Sequence, residues 1–168
     1  MLSDRTIKEM MKKGDIIVTG ELDHKQMQPV SIDLRLGGLL SEDEELFATE
    51  YTDVPYYMMP PGQFMLGCTL EAVGLSRNVV GQVHGKSTRA RQGLMVHAAG
   101  LVDPGFRGQL TLELFNMSSQ PVHLERGMLI CQITFELLST TPERLYGDPR
   151  LNSHYQNQSG PTPATLWP

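Results

Sequence analysis

The chain has 168 residues, 40% of them hydrophobic, and a formal net charge of -5 at pH 7. This length suits one domain with a sizeable core, and the negative balance argues against broad electrostatic binding to nucleic acid. No apolar run is long enough to span a membrane, and residues 1–15 lack the continuous apolar segment of a secretory signal. Two cysteines, Cys68 and Cys131, cannot build a disulfide framework. We therefore expect a cytoplasmic protein with no nucleic-acid or membrane partner.

The first residues carry the signals of a short helix. Ser3 is a good N-cap, and Ile7, Met10 and Met11 recur on one face. Two lysines suit the negative end of the helix dipole, and Gly14 follows them as a stop signal. The sequence therefore predicts a helix between Ser3 and Gly14.

Beyond this helix the chain has the patterns of strands. Four segments alternate apolar and polar residues or are continuously apolar. Turn signals rich in Gly and Pro separate them at 60–62, 103–105 and 126–127. Many short strands with such turns predict a mainly β domain, either a barrel or a jelly-roll-like sandwich. The predicted strands are 30–36, 64–73, 108–115 and 128–138.

The last thirty residues, 139–168, differ in composition from the rest. They are polar and proline-rich, with isolated aromatic residues at Tyr146, Tyr155 and Trp167. Composition alone allows two interpretations, a frayed tail or an arm that folds over a ligand.

The run Gly85-Lys86-Ser87-Thr88 invites comparison with the phosphate-binding turn of an NTPase. That motif needs a glycine five residues before the Gly-Lys pair, but Val80 occupies this position and Gly81 is one residue out of register. The motif therefore fails. Lysine, two hydroxyls, Arg89 and Arg91 within six residues still form a local basic site suited to an anionic ligand.

Two carboxylates stand out in the central part of the chain. In the strand 110–115, alternation places three leucines on one face and Glu113 on the other, with Thr111 and Phe115. Judged alone, Glu113 is more often part of a solvated outer face, because burying a carboxylate is costly unless it is paired or protonated. Asp103 lies in a turn, where ordinary turn chemistry is the simpler interpretation.

A zinc centre is not expected. The segment His123-Leu124-Glu125 has the form HxE, but no PCxxC turn follows it, and the two cysteines are too far apart for CxxC. The zinc site of the common nucleobase deaminases is therefore not indicated.

Three motifs taken together point to one family. The segment HGKSTRARQGLMVHAAGLVDPGFRGQLTLELFN, 84–116, resembles the dCTP deaminase family, which shares its fold and much of its site with trimeric dUTPases. The segments 28–37 and 127–135 and the tail agree, whereas 40–58 carries little of the resemblance. This family resemblance implies a dUTPase-like distorted jelly-roll or β-barrel with a short N-terminal helix. The nucleotide-binding β domain would span 1–138, with a C-terminal arm, 139–168, that closes over the active site of a homotrimer.

The resemblance also implies an activity. The expected reaction is hydrolytic deamination of dCTP coupled to triphosphate cleavage, giving dUMP, ammonia and pyrophosphate for dTMP supply. Magnesium would be held through the substrate phosphates and water, without ligands from the protein, and dTTP is a candidate feedback inhibitor. Three alternatives stay open: a deaminase that releases dUTP, an enzyme that acts on dUTP only, and a non-catalytic nucleotide-binding regulator.

The same resemblance assigns roles to individual residues. Glu113 would take a proton from the water that attacks C4 of cytosine and return it to the departing amine. Ser87, Arg91 and the backbone near Ala99 would orient this water. Asp103 resembles the residue that contacts the deoxyribose 3′-hydroxyl and, in dUTPases, orients the water attacking the α-phosphate. The implied catalytic residues are Glu113, Ser87, Arg91 and Asp103. The implied substrate-binding residues are Lys86, Ser87, Thr88, Arg89, Ala90, Arg91, Ala99, Gly100, Asp103, Thr111, Leu112, Glu113, Gln132, Tyr146, His154 and Gln158.

Two positions bear on details of the reaction. His154 stands directly before Tyr155, where the family usually has a lysine. A neutral imidazole lacks the positive charge that a lysine would place beside the triphosphate. Gly100 follows Ala99, as in dUTPases and in deaminases that also cleave the triphosphate. A glycine is expected to leave room beside the α-phosphate for a second water, which favours dUMP as the product.

Overall fold

The computed structural model describes residues 1–40, 45–46, 56–97 and 99–165. Most of the segment 40–58 therefore lies outside the described residues, as does Trp167 of the tail. No helix within these ranges is long and apolar enough to cross a membrane.

The predicted N-terminal helix is confirmed as α1 (Asp4–Lys13). The Ser3 hydroxyl accepts a hydrogen bond of 3.5 Å from the backbone N–H of Thr6, as an N-cap does. Gly14 ends the helix in the left-handed conformation, with φ +80°, where a side chain would be strained. Ile7 on the inner face is fully buried, so the helix packs on the sheet through its apolar side.

The remaining elements are mostly short strands. A five-residue helix, α2 (Ser87–Arg91), follows the sixth strand, and a 3₁₀ turn (Pro149–Leu151) lies in the tail. The strands are β1 (Ile16–Val18), β2 (Ser31–Leu40), β3 (Glu45–Leu46), β4 (Tyr56–Met59), β5 (Phe64–Leu75), β6 (Val79–Gly85), β7 (Leu94–His97), β8 (Leu101–Val102), β9 (Arg107–Asn116), β10 (Val122–Glu125) and β11 (Leu129–Leu137).

Within the described residues, nine strands form one curled sheet and β4 pairs with β10 in a second. The main sheet has the order β7-β9-β5-β2-β11-β6-β8, with β1 added on β5 and β3 on β2. The pairs are antiparallel, as expected for a chain of short strands joined by tight turns. The four strands predicted from periodicity correspond to β2, β5, β9 and β11 and are confirmed.

The core lies on the inner face of the curled sheet. The alternation predicted for β9 is confirmed, because Leu110, Leu112 and Leu114 are 6%, 0% and 0% exposed. On β2 the alternation does not mark a solvent face, since Asp33 is 1% exposed. A buried carboxylate needs a partner, and the partner of Asp33 lies at the start of α2, as described below.

Candidate active site

A cavity of about 470 Å³ lies between the sheet and the C-terminal arm. Its walls are largely apolar and include Phe64, Leu66, Val83 and Phe106. A few polar groups enter from three directions: β9, the turn after β8, and the arm. An apolar cleft of this size with a small number of convergent polar groups is the usual form of a small-molecule site.

Glu113 is a half-buried acidic residue of this cavity. On β9 its Cα pairs with that of Leu66 on β5 and with that of His97 on β7, so both neighbouring strands fix its position. Its Oε2 is buried and has no hydrogen-bond partner among the described residues. The simpler interpretation, a solvated outer face, is therefore wrong for this residue. An unpartnered polar atom inside a cavity is suited to a ligand that brings its own donor.

Asp103 combines the two interpretations that the sequence allowed. Its carbonyl oxygen accepts a hydrogen bond of 3.1 Å from the N–H of Phe106, which closes the turn between β8 and β9. Gly105 in this turn has φ +91°, a conformation that favours glycine. The residue also lines the cavity that contains Glu113. Turn formation and a position in the site are thus compatible.

The C-terminal arm packs against β9. Gln158 pairs in parallel with Gly108, and its side-chain amide donates to the carbonyl oxygen of Gln109 at 2.6 Å. Thr111 donates to Oε1 of Gln158 at 3.5 Å. The ring of Tyr146 lies against a cavity wall, with its centroid 5.7 Å from that of Phe106. The arm therefore contacts the body at Tyr146 and Gln158, and its closure over a bound ligand stays a prediction.

The basic segment around α2 lies elsewhere. None of residues 86–91 is among the described residues that line the cavity. The Lys86 ammonium donates to Asp33 on β2, and the Arg89 guanidinium donates to the carbonyl oxygen of Leu129 at 3.0 Å. Gln132 lies on this side too, where its amide donates to the carbonyl oxygen of Gly85 at 3.3 Å. A single chain therefore separates the predicted site residues into two groups.

The first group surrounds Glu113 and the second surrounds α2. Leu112 belongs to neither, because its side chain is fully buried in the core. His154 lines a neighbouring cavity that shares Asp103, Tyr146 and Tyr155 with the first. The residues of the first group are Ala99, Gly100, Asp103, Thr111, Glu113, Tyr146 and Gln158. The residues of the second group are Lys86, Ser87, Thr88, Arg89, Ala90, Arg91 and Gln132.

Sequence reasoning missed two polar residues of the cavity wall, Tyr155 and Thr162. Tyr155 was visible as one of the isolated aromatic residues of the tail and as the residue after His154, but it was not assigned to the site. Its backbone N–H donates to the Tyr146 hydroxyl at 3.1 Å, so the Tyr146 side chain holds the backbone of the arm at Tyr155. Thr162 gave no signal, since a threonine in a proline-rich tail has many ordinary explanations.

Gly100 is close to a side chain from β6. A Cβ atom at this position would lie 2.3 Å from Nε2 of Gln82. The carbonyl oxygen of Gly100 accepts a hydrogen bond of 2.8 Å from the N–H of Val83. The space that the glycine leaves is therefore partly occupied by the Gln82 amide, and a second water beside Gly100 stays a prediction.

Solved structures share this fold. The 2′-deoxycytidine 5′-triphosphate deaminase from Agrobacterium tumefaciens matches with a TM-score of 0.67 and 21% identity, over 81% of this chain and 48% of that chain. The present chain thus spans about half the length of the Agrobacterium chain. The native EIAV dUTPase matches with a TM-score of 0.55 and 19% identity, over 77% of this chain and 93% of that chain. A phage phi11 dUTPase of S. aureus, described with a structural Mg(II) ion, matches with a TM-score of 0.54 and 12% identity over 77% and 94%. These likenesses confirm the dUTPase-like fold.

Curated relatives match at higher identity over almost the whole length. The dCTP deaminase, dUMP-forming, of Dictyoglomus thermophilum is 41% identical over 99% of this chain and 94% of its own. The dCTP deaminase of Natronomonas pharaonis is 39% identical over 96% of this chain and 92% of its own. A family model described as dCTP deaminase-like matches residues 1–138. The chain therefore belongs to the dCTP deaminase-like family.

Proposed function

We propose that this chain converts dCTP and two waters into dUMP, ammonia and pyrophosphate. The observation that carries the proposal is the Glu113 carboxylate, whose Oε2 is buried and unpartnered among the described residues within a largely apolar cavity. An apolar wall suits a pyrimidine ring, and one carboxylate suits the proton transfers that deamination needs. The names of similar proteins over nearly the full length, such as the Dictyoglomus enzyme, agree with this product.

The first step is deamination at C4 of the cytosine ring. Glu113 takes a proton from the attacking water as the new C–O bond forms and passes this proton to N3. It then takes the second proton, from the new hydroxyl on C4, as the C4 carbonyl forms and the C–N bond breaks. The carboxyl gives this second proton to the departing amine, which leaves as ammonia. Since β9 pairs with β5 and β7 at Glu113, the backbone that carries this carboxylate is fixed by strands on both sides.

The second step is hydrolysis of the triphosphate at the α-phosphorus. Asp103, in the same cavity as Glu113, orients a second water for in-line attack, and pyrophosphate leaves with the bonding electrons. Thr111, Tyr146 and Gln158 lie on the arm side of this cavity and are suited to hold the sugar and phosphates.

The two groups of site residues are brought together by assembly in this proposal. Ser87, Thr88 and Arg91 of one copy would complete the Glu113 cavity of another, because α2 does not reach the described lining of its own cavity. The proposed assembly is a homotrimer, in line with the dUTPase-like fold. dTTP, which carries the same triphosphate, would compete for the completed site as a feedback inhibitor.

Magnesium is proposed as the cofactor. Among the described residues no group of three or more His, Cys, Asp or Glu side chains could hold a metal ion. This fits a hard cation that is carried by phosphate oxygens and water. When bound there, the ion neutralises charge on the triphosphate and improves pyrophosphate as a leaving group.

The proposal is tested by incubating the purified chain with dCTP and Mg²⁺ and separating the nucleotides by anion-exchange chromatography, with a parallel ammonia assay. We expect dUMP, ammonia and pyrophosphate in equal amounts. Accumulation of dUTP would indicate a plain deaminase. Unchanged dCTP together with hydrolysis of added dUTP would indicate a dUTPase, and binding without turnover would indicate a regulator.

A further inference from the structure

The start of α2 is fixed by an ion pair that reaches over one strand, β11, to β2. Lys86 is the N-cap residue of α2, and its ammonium donates to Oδ2 of Asp33 on β2. The side chain of Asp33 is 2% exposed and that of Lys86 is 21% exposed. A buried ion pair is strongly constrained, because removal of either partner leaves an uncompensated charge.

The register shows how far this contact reaches. β11 lies between β6 and β2, and Gln132 on β11 is the Cα partner of both His84 and Asp33. Lys86 lies two residues beyond His84, so its side chain crosses β11 to reach β2. The second oxygen of Asp33, Oδ1, is buried without a hydrogen-bond partner among residues 1–40, 45–46, 56–97 and 99–165. The Asp33 charge is therefore balanced chiefly by Lys86.

The two arginine side chains of the segment 86–91 differ in how they are held by other residues. The Arg89 guanidinium is held by the carbonyl oxygen of Leu129 at 3.0 Å and by the side chain of Gln92 at 3.0 Å. Arg91 is exposed, and its guanidinium has no ion-pair or hydrogen-bond partner in the part of the chain that the structure describes. Lys86 and Arg89 thus bind α2 to the sheet. The exposed Arg91 guanidinium is available to bind an anion from outside the chain.

We propose that Asp33 is a positioning residue for triphosphate binding, which rests on the proposed function of the α2 segment. Through Lys86, its carboxylate fixes the first turn of α2, so that the hydroxyls of Ser87 and Thr88 and the guanidinium of Arg91 are held in place for the phosphates. Asp33 does not touch the nucleotide. The affinity for a triphosphate then depends on a carboxylate that would otherwise repel it.

A double-mutant cycle tests whether Asp33 acts through Lys86. The variants are Asp33→Asn, Lys86→Met and the double substitution, each in a Glu113→Gln background that preserves dCTP during the measurement. Calorimetry gives the Kd for dCTP and for dCMP. We expect Asp33→Asn to raise the Kd for dCTP about 10- to 100-fold, the scale of displacing a binding group by about 1 Å. The Kd for dCMP should change much less. The two substitutions should not be additive: the double variant should bind dCTP no more weakly than Lys86→Met alone, because Asp33→Asn then also removes the uncompensated carboxylate.

A matched control separates positioning from folding. Glu71, 1% exposed and paired with Arg35, is a second buried carboxylate of the same sheet that does not contact α2. Glu71→Gln should lower thermal stability and leave the Kd for dCTP unchanged. If Asp33→Asn fails to fold, Asp33→Leu with Lys86→Met removes both charges and should bind dCTP no more weakly than Lys86→Met does.

Different binding results would contradict the role of Asp33 and the proposed function. Unchanged dCTP affinity in Asp33→Asn, or effects of the two substitutions that multiply independently, would overturn the role of Asp33. A chain with Asp33 and Lys86 intact that fails to bind dCTP would instead contradict the proposed function itself.

Discussion

Gln158 and Gln109 hold the arm and β9 together through a reciprocal contact. The N–H of Gln109 donates to the carbonyl oxygen of Gln158 at 3.0 Å, and the Gln158 amide donates back to the carbonyl oxygen of Gln109 at 2.6 Å. Because β9 also carries Glu113, this contact joins the arm to the strand with the proposed catalytic carboxylate.

Removal of residues 146–168 should therefore weaken triphosphate binding and leave a folded domain. The deleted segment contributes Tyr146 and Gln158 to the cavity but none of the strands β1 to β11. We expect a large rise in KM for dCTP, measured by steady-state kinetics, with cooperative thermal unfolding retained. Arg150→Ala is the matched control, because Arg150 lies in the same arm and its guanidinium is paired with Asp148 at 2.6 Å. An unchanged KM after truncation would contradict a binding role for the arm.

Glu113→Gln should lower deamination by about 10²- to 10⁴-fold, the usual contribution of a positioned acid or base. Gln has nearly the same shape, so dCTP should still bind, which calorimetry would check. Glu125→Gln, at an exposed position on β10, serves as the control and should keep full activity. Near-normal turnover by Glu113→Gln would show that the proton shuttle lies elsewhere.

Asp103→Asn should reduce pyrophosphate formation at least as much as ammonia formation. The amide keeps the size of the carboxylate but loses the charge that orients the second water. Parallel ammonia and pyrophosphate assays on one reaction give the ratio directly. A variant that loses ammonia release alone would place Asp103 in the first step instead of the second.

Removal of Mg²⁺ should abolish the reaction, whereas removal of Zn²⁺ should not. EDTA should stop turnover and added Mg²⁺ should restore it, whereas a zinc-selective chelator should have no effect. Stoichiometric zinc in active, purified protein, measured by elemental analysis, would contradict the proposed magnesium dependence.

The two cysteines should be unreactive in the folded protein. Burial raises the pKa of the Cys131 thiol, and the nearby carboxylates of Glu71 and Asp33 raise it further. The pKa of an unfolded cysteine thiol is about 8.5. Because the pKa of Cys131 is higher in the native state, the native state binds more protons than the unfolded state above that pH. This stabilising contribution is present below about pH 8.5 and is lost as the pH rises. A thiol reagent at pH 8 should react only on unfolding, and rapid reaction of the native protein would contradict this.

Local signals account for what the sequence predicted of the fold. A cap and a stop glycine define α1, and the four longer strands have enough residues for a period of two to be visible. Strands of two to four residues, such as β7 and β8, are too short to show a period. β7 and β8 form because the longer strands β9 and β6 supply their hydrogen bonds.

The site was predictable only where a motif or a resemblance marked it. Glu113 and Asp103 are ten residues apart in sequence yet line one cavity, which composition does not reveal. Asp33 is a polar residue of the alternating segment 30–36, yet it is only 1% exposed. Its burial depends on Lys86, a partner 53 positions away along the chain. Long-range pairing of this kind leaves no local pattern.

Isotope trapping tests the coupling of deamination to triphosphate cleavage most directly. Radiolabelled dCTP is mixed with the enzyme, Mg²⁺ and a large pool of unlabelled dUTP, and the nucleotides are separated over the first turnovers. If both steps occur before release, the label should pass into dUMP without entering the dUTP pool. Label that appears in dUTP would contradict the account and leave a deaminase that releases its first product.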